Sequence, residues 1–168
     1  MRAFISINFN EAVIRRLIKA QDELRFYDKY ANYSRRENLH LTLAFIGETD
    51  RCDDIVRIMN QCTVKPFTLT VSGCGSFGND IFWAGIKKDP TLENLAISLQ
   101  DALRSEGFQI EKRRFSPHIT LARQMRDASS VHIKIPEISM EVDSFSLMES
   151  SRIRGKLVYT EISRVKLK

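Results

Sequence analysis

The sequence predicts an α+β fold in which two similar lobes of antiparallel sheet and helices surround a central cleft. Strand patterns and helix patterns intermix along the 168 residues, and no Pro/Gly/Ser-rich linker divides them, so we expect a single bilobal domain over 1–168. A short phrase, LHLTL at 39–43, recurs as PHITL at 117–121. This recurrence indicates a weak internal duplication, in which each half supplies sheet, helix and one copy of the phrase.

Eight strands and three helices are expected from apolar periodicity and from turn and capping residues. The strands span 2–9, 39–46, 67–72, 81–86, 118–123, 138–142, 145–148 and 157–165. The first helix is capped by Asn10 and runs to about Lys29 with one apolar face. The second begins near Asp50, where acidic residues favour the positive end of the helix dipole. The third starts at Asp89, is followed by a proline, and ends before Gly107.

Each copy of the phrase places a histidine and a threonine on one face of a strand. Side chains alternate along a strand, so His40 and Thr42 point one way while the neighbouring leucines point into a core, and His118 and Thr120 do the same. If the two strands face each other, a neutral imidazole can take a proton while a protonated one gives a proton. The hydroxyls can hold a phosphate without a metal. This set of groups suits in-line displacement at phosphorus.

Charge and composition favour an anionic partner. The formal net charge is +5, which is typical of proteins that bind nucleic acid but does not prove such binding. Basic runs precede both copies of the phrase, Arg35-Arg36 before the first and Lys112-Arg113-Arg114 before the second. We therefore expect an anion-binding cleft, although the sequence leaves the role of each of these residues in RNA binding open.

The cysteines and the chain start predict a reduced, cytoplasmic protein. The three cysteines are odd in number and form no CxxC pair, so neither a disulfide framework nor a zinc site is expected. No apolar run has the length of a membrane span, and the first residues lack the apolar core of a signal peptide. The third histidine, His132, has no threonine two positions later, so we expect it to have a structural or solvated role.

At these motifs the chain resembles the two-histidine (2H) phosphoesterase superfamily. Within it, the chain is most similar to the RNA 2′,3′-cyclic phosphodiesterases once described as 2′–5′ RNA ligases. The resemblance rests on RRENLHLTLAFIGE at 35–48 and RRFSPHITLAR at 113–123, with support from PFTLTVSGCGSF at 66–77. It implies two lobes around a water-filled cleft and the hydrolysis of RNA or nucleoside 2′,3′-cyclic phosphate to a 2′-phosphate, without a cofactor.

The resemblance also implies a role for each motif residue. His40 would be the proton donor to the leaving oxygen, and His118 would be the base that activates water. Thr42 and Thr120 would bind the phosphate, and no residue would bind a metal. In the same family, the fifth residue after each histidine would flank the nucleotide base.

Those fifth residues are Phe45 and Arg123, and regular alternation places both on the wrong faces of their strands. To line the cleft, each strand must end, bulge or twist after Ala44 and after Ala122. Phe77, Trp83 and Tyr159 could line the cleft or belong to the core, and the core is favoured for Phe77 and Trp83. The segment SSRIRGKL at 150–157 lacks the proline and extra glycines common in the family, which leaves its shape and its substrate contacts open.

Three other functions use the same residues. A 2′–5′ RNA ligase would run the displacement in the opposite direction at the same site. A non-catalytic module would bind RNA ends through the histidines alone, although binding does not require two groups that titrate near neutrality. A metal site would need further ligands that the sequence does not supply at suitable spacing. We expect RNA ends or nucleotides with a 2′,3′-cyclic phosphate as the partners of a monomer, with no membrane and no obligatory protein partner.

Overall fold

The computed structural model describes residues 1–168, and its strands form two antiparallel sheets. The strands are β1 (Arg2–Asn8), β2 (Asn32–Tyr33), β3 (His40–Glu48), β4 (Phe67–Phe77), β5 (Ile81–Ile86), β6 (His118–Arg123), β7 (Ile138–Val142), β8 (Ser144–Ile153) and β9 (Lys156–Lys166). The helices are α1 (Glu11–Leu24), α2 (Cys52–Gln61) and α3 (Pro90–Ser105). One sheet has the order β3-β1-β8-β9 and the other β2-β6-β5-β4-β7. The predicted α+β fold with two sheet lobes is confirmed.

The helices tie the two sheets together by crossing between them. Helix α1 follows β1 of the four-stranded sheet but packs against β6 and β7 of the five-stranded sheet. Helix α3 follows β5 of the five-stranded sheet and packs against β3 of the other. As a result, a single cluster of 36 buried residues runs through both lobes, and the two motif strands are supported by helices from opposite halves.

Helix ends follow the capping chemistry of the sequence. The Asn10 side chain accepts a hydrogen bond from the backbone N–H of Val13 at 3.0 Å, and Asp89 caps α3 in the same way. Helix α1 ends at Leu24, earlier than the expected Lys29, because the apolar face stops there and Phe26 is 92% exposed. None of the three helices is long and apolar enough to cross a membrane.

Several strands differ from the prediction in length or in existence, and β4 for example extends to Phe77. Strand β2 has two residues, too few to show any periodicity, and it pairs with the end of β6. Strands β8 and β9 are longer than predicted and remain paired up to Ile153 and Lys156. The segment 150–157, whose shape the family resemblance left open, is therefore a β-hairpin. Strand β2 and this hairpin both border the cleft described next.

Candidate active site

The two motif strands come together at one cleft between the sheets. Strands β3 and β6 contact each other, although they belong to different sheets. The cleft has a volume of about 1080 Å³, and His40, Thr42 and Thr120 line it. His118 does not line the cleft itself, but it begins β6, two residues before Thr120 and on the same face of that strand. The structure therefore brings the two motif strands together, with His40, Thr42 and Thr120 around one volume.

Both imidazoles are held in the same way by the backbone two residues earlier. The Nδ1–H of His40 donates to the carbonyl of Asn38 at 2.7 Å, and the Nδ1–H of His118 donates to the carbonyl of Ser116 at 2.7 Å. A carbonyl oxygen can only accept, so Nδ1 carries the proton in each neutral ring. The opposite nitrogen, Nε2, is then free for chemistry, and in His40 it contacts the Thr42 hydroxyl at 2.9 Å.

His40 lies in an aromatic cage on the four-stranded sheet. The rings of Phe4 and Tyr159 lie 4.9 and 5.2 Å from its ring. This burial lowers the pKa of His40, its carbonyl hydrogen bond opposes the change, and the positive charges of Arg123 and of the second histidine lower it further. In the free protein His40 is thus more readily neutral than an ordinary histidine, and a bound anion would shift it towards the protonated form.

His118 is bordered by a different pair of rings. Phe77 meets it edge-on at a ring distance of 4.8 Å, and Trp83 lies 6.4 Å away. The expectation that Phe77 and Trp83 are core residues is wrong, because neither belongs to the buried core and Phe77 is 40% exposed. The β4–β5 pair carries both rings to the face beside β6. Gly75 makes room for this packing, since a Cβ there would lie 2.6 Å from the Trp83 ring.

A bulge in β3 explains how Phe45 reaches the cleft. Successive residues of β1 pair with Thr42 and with Ala44, so Leu43 is an extra residue in the strand. Leu43 and Ala44 are both buried, whereas Phe45 is 47% exposed and lines the cleft with His40. The alternation of side-chain faces is therefore interrupted at Leu43, slightly before the predicted position after Ala44.

Strand β6 has the same bulge at the equivalent position. Successive residues of β5 pair with Ala122 and with Thr120, which leaves Leu121 as the extra residue. Leu121 and Ala122 are buried, and Arg123 lines the cleft. The two strands thus share one local geometry, in which the fifth residue after each histidine returns to the histidine's face.

Glutamine side chains from two helices support the two bulges. Gln100 on α3 donates from Nε2 to the carbonyl of Leu43 at 2.9 Å. Gln21 on α1 donates from Nε2 to the carbonyl of Leu121 at 3.0 Å, and the Ser34 backbone N–H binds the same oxygen. A bulge removes a carbonyl from the regular ladder, so these donors satisfy a group that burial would otherwise leave unpaired.

The basic runs contribute less to the cleft than the sequence suggested. Arg36 forms an ion pair with Glu11, and Arg113 forms one with Glu111, while Lys112 and Arg114 do not line the cleft. Arg35 does line it. The basic residues around the cleft come instead from several strands and one loop: Arg2, Arg35, Arg123, Arg152 and Lys156.

Several cleft residues carried no signal in the sequence. Arg2, Phe4 and Arg152 reach the cleft because β1 and β8 are neighbours in the four-stranded sheet, and a sequence does not reveal that register. Tyr159 is also in the cleft, where burial raises the pKa of its phenol, so the hydroxyl stays a hydrogen-bond donor. Predicting these contacts would require knowing which strands, distant in the chain, pair with each other.

His132 and the cysteines remain apart from this chemistry. His132 is exposed and does not line the cleft. The three cysteines are free thiols, and none is in the cleft. No group of three or more His, Cys, Asp or Glu side chains is arranged to hold a metal ion.

Two antiparallel sheets that meet through strands with a repeated histidine–threonine motif have the architecture of a two-histidine phosphoesterase. The sequence model of the 2′-5′ RNA ligase superfamily matches residues 12–154. The chain belongs to this superfamily.

Individual relatives agree with the family. An RNA 2′,3′-cyclic phosphodiesterase of Thermotoga maritima is 31% identical over 90% of this chain and 87% of its own length. One from Geobacillus stearothermophilus is 34% identical over 56% of this chain, and that match spans 33% of the relative. A crystal structure of Escherichia coli LigT complexed with 3′-AMP superposes with a TM-score of 0.90 at 29% identity, covering 99% of this chain and 97% of LigT.

Proposed function

We propose that this protein hydrolyses 2′,3′-cyclic phosphate ends of RNA, or the corresponding cyclic nucleotides, to a 2′-phosphate and a free 3′-hydroxyl. The observation that carries the proposal is the contact of the two motif strands at one cleft, which His40, Thr42 and Thr120 line, with Nδ1 of each imidazole bound to a carbonyl. Relatives described as RNA 2′,3′-cyclic phosphodiesterases support the choice of substrate.

The reaction needs one proton acceptor and one proton donor. Nε2 of His118 takes a proton from water as the water oxygen attacks phosphorus, and the bond from phosphorus to O3′ breaks. The Nε2–H of protonated His40 gives its proton to O3′. The hydroxyls of Thr42 and Thr120 donate to the non-bridging oxygens, whose charge grows in the transition state.

The lowered pKa of His40 is compatible with its role as the acid once substrate is bound. In the free protein, burial lowers that pKa first, and the charges of Arg123 and His118 add to the effect. A phosphodiester brings a negative charge next to the ring and favours the imidazolium. Substrate binding and protonation of His40 are therefore coupled.

Turnover without a metal tests the function directly. After exhaustive treatment with a chelator, the protein is expected to convert cytidine 2′,3′-cyclic phosphate to cytidine 2′-phosphate at an unchanged rate, because protein groups supply the acid, the base and the donors. Chromatography of the products against 2′- and 3′-phosphate standards is the measurement. A loss of turnover that magnesium or manganese restores would contradict metal independence, and the absence of any turnover would contradict the function.

Ligation is the reverse displacement at the same site. Water is far more concentrated than any RNA hydroxyl, so hydrolysis dominates unless two RNA ends are held together. Incubation with two RNA fragments, one of them carrying the cyclic phosphate, separates the two reactions by product length.

The base is proposed to lie between Phe45 and Arg123, by stacking and cation–π contact. Phe45→Ala and Arg123→Ala are each expected to raise KM by more than they lower kcat, because a base contact acts on the ground state and the transition state alike. Loss of stacking should cost roughly 1–3 kcal/mol. Steady-state kinetics on a cyclic nucleotide measures both parameters.

The matched controls are Phe26→Ala and Arg126→Ala, which remove an exposed phenylalanine and an exposed arginine outside the cleft. Both controls should retain the original KM. If Phe45→Ala and Arg123→Ala leave KM unchanged as well, the two residues are structural.

We also propose that residues 1–168 act as one bilobal domain, as a monomer in the cytoplasm, with no membrane and no obligatory protein partner. The core that runs through both lobes supports the single domain. The free cysteines are compatible with a reducing compartment. Sedimentation at working concentration measures the oligomeric state.

A further inference from the structure

The β8–β9 hairpin forms one wall of the cleft and has a shape that the family resemblance left open. Its turn residues, Arg154 and Gly155, have φ values of 54° and 79°. Positive φ at both central residues is the requirement of a tight two-residue hairpin turn. The flanking residues Ile153 and Lys156 pair directly, so the strands remain regular up to the turn.

This hairpin is anchored to the same residue that orients His40. The carbonyl of Leu157, one pair from the turn end of the hairpin, accepts hydrogen bonds from Nδ2 of Asn38 at 2.9 Å and from a guanidinium nitrogen of Arg35 at 3.3 Å. The backbone carbonyl of Asn38 in turn accepts from Nδ1 of His40. The hairpin and the candidate acid therefore keep a fixed relative position.

Two cations of the hairpin face the cleft without a carboxylate partner. Arg152 and Lys156 both line the cleft, and neither takes part in any of the ion pairs of the protein. Arg152 lies opposite Leu157, two pairs along from Ser150 and Tyr159 and therefore on the same face of the hairpin. Lys156 is one position before Leu157 and begins on the other face, next to the turn, but it lines the same cleft. Tyr159 is in edge-on contact with His40, so Arg152 approaches the site from the side of the acid.

Burial raises the pKa of Tyr159, and the positive charges of Arg123, Arg152 and Arg2 oppose that rise. All three arginines line the cleft together with Tyr159. In the proposed function, the cyclic phosphate has His40, His118 and the two threonines as partners. Arg152 has one hydrogen-bond partner, the Gly155 carbonyl at 3.4 Å, so the two hairpin cations are available to a second anion.

We propose that Arg152 and Lys156 form a second phosphate subsite, which holds the 5′-phosphodiester of the nucleotide that carries the cyclic phosphate. The proposal rests on the proposed function and specifies its substrate as the end of an RNA chain. A nucleoside 2′,3′-cyclic phosphate has no 5′-phosphate, whereas the last nucleotide of any RNA chain has one. The subsite therefore favours RNA ends over mononucleotides.

The experiment compares three substrates: a nucleoside 2′,3′-cyclic phosphate, a dinucleotide with the same cyclic end, and that dinucleotide with a neutral methylphosphonate linkage. The measured quantity is kcat/KM of each dinucleotide divided by that of the mononucleotide. A hydrogen bond to a charged group contributes about tenfold or more in affinity. We expect the charged dinucleotide to exceed the mononucleotide by roughly this factor, and the neutral dinucleotide to lose the advantage.

The doubly substituted variant Arg152→Gln, Lys156→Gln is expected to reduce the ratio for the charged dinucleotide about tenfold. It should also reduce the slope of log KM against log salt concentration for that substrate by about 0.7 per removed phosphate contact. The matched control is Arg154→Gln, which removes a cation from the turn of the same hairpin without touching the cleft lining. This control should keep both the ratio and the slope.

Each outcome has a separate meaning. If the original protein hydrolyses none of the substrates, the proposed function is wrong and the subsite fails with it. If all three are hydrolysed and the doubly substituted variant keeps the original ratio, the subsite is wrong while the function stands. If Arg154→Gln lowers the ratio as much as the double substitution does, the hairpin attracts the RNA phosphate only through its overall positive charge, and the subsite is wrong.

Discussion

His118→Ala is expected to lose roughly 10²–10⁴-fold of kcat on an RNA 2′,3′-cyclic phosphate, the range that general acid–base groups contribute. The reason is that water must lose a proton as it attacks phosphorus, whatever oxygen leaves. The same variant should therefore stay nearly inactive on an activated substrate, such as a nitrophenyl phosphodiester, whose leaving group needs no proton. Parallel rate measurements on the two substrates test both statements.

His132→Ala is the matched control for this substitution, because it removes the third histidine, which is exposed and outside the cleft. It should retain the original rate on both substrates. If His118→Ala hydrolyses the cyclic phosphate at an undiminished rate, the repeated phrase is not the active site. If instead the variant recovers on the activated substrate, His118 is the acid.

The repeated phrase made this site readable from the sequence, but only in part. Strand periodicity correctly placed His40, Thr42, His118 and Thr120 on the faces opposite their leucines, because that inference needs only local geometry. Regular alternation failed three residues after each histidine. The bulge at Leu43 cannot be derived from local residues alone.

The partners of the bulges lie far away in the chain. Gln100 is 57 residues from Leu43, and Gln21 is 100 residues from Leu121. Each glutamine lies on a helix that follows a strand of one sheet and packs against the other sheet. The carbonyl that it binds can therefore be identified only once the packing of the two lobes is known. Local periodicity therefore predicted the reacting groups but not the geometry that brings Arg123 to the cleft.

Pairing between distant strands also determines how the two histidines differ. The phrase is nearly identical in both copies, yet His40 is enclosed by Phe4 and Tyr159, which come from β1 and β9. His118 instead lies beside the partly open ring of Phe77. The same sequence motif thus meets two different environments, and we propose that this asymmetry assigns the acid role to one imidazole and the base role to the other.

His40→Ala is expected to lose roughly 10²–10⁴-fold on the cyclic phosphate. Unlike the first variant, it should recover part of this loss on the nitrophenyl phosphodiester, since a good leaving group departs without a proton. A His40→Ala variant that stays inactive on the activated substrate, together with recovery by His118→Ala, would reverse the two assignments. The pH dependence gives a second, independent test of the same role.

As an acid, His40 must be protonated, so activity falls as the pH rises through its pKa. Burial, together with the charges of Arg123 and His118, holds that pKa below the ordinary 6.5 in the free protein. Since kcat/KM reports the free enzyme and kcat reports the complex, the alkaline limb of kcat should lie at higher pH than that of kcat/KM, because the bound phosphate favours the imidazolium. His40→Ala should abolish the alkaline limb, because the variant has no proton donor left to lose a proton. An alkaline limb that survives in His40→Ala would assign the proton donor to another group.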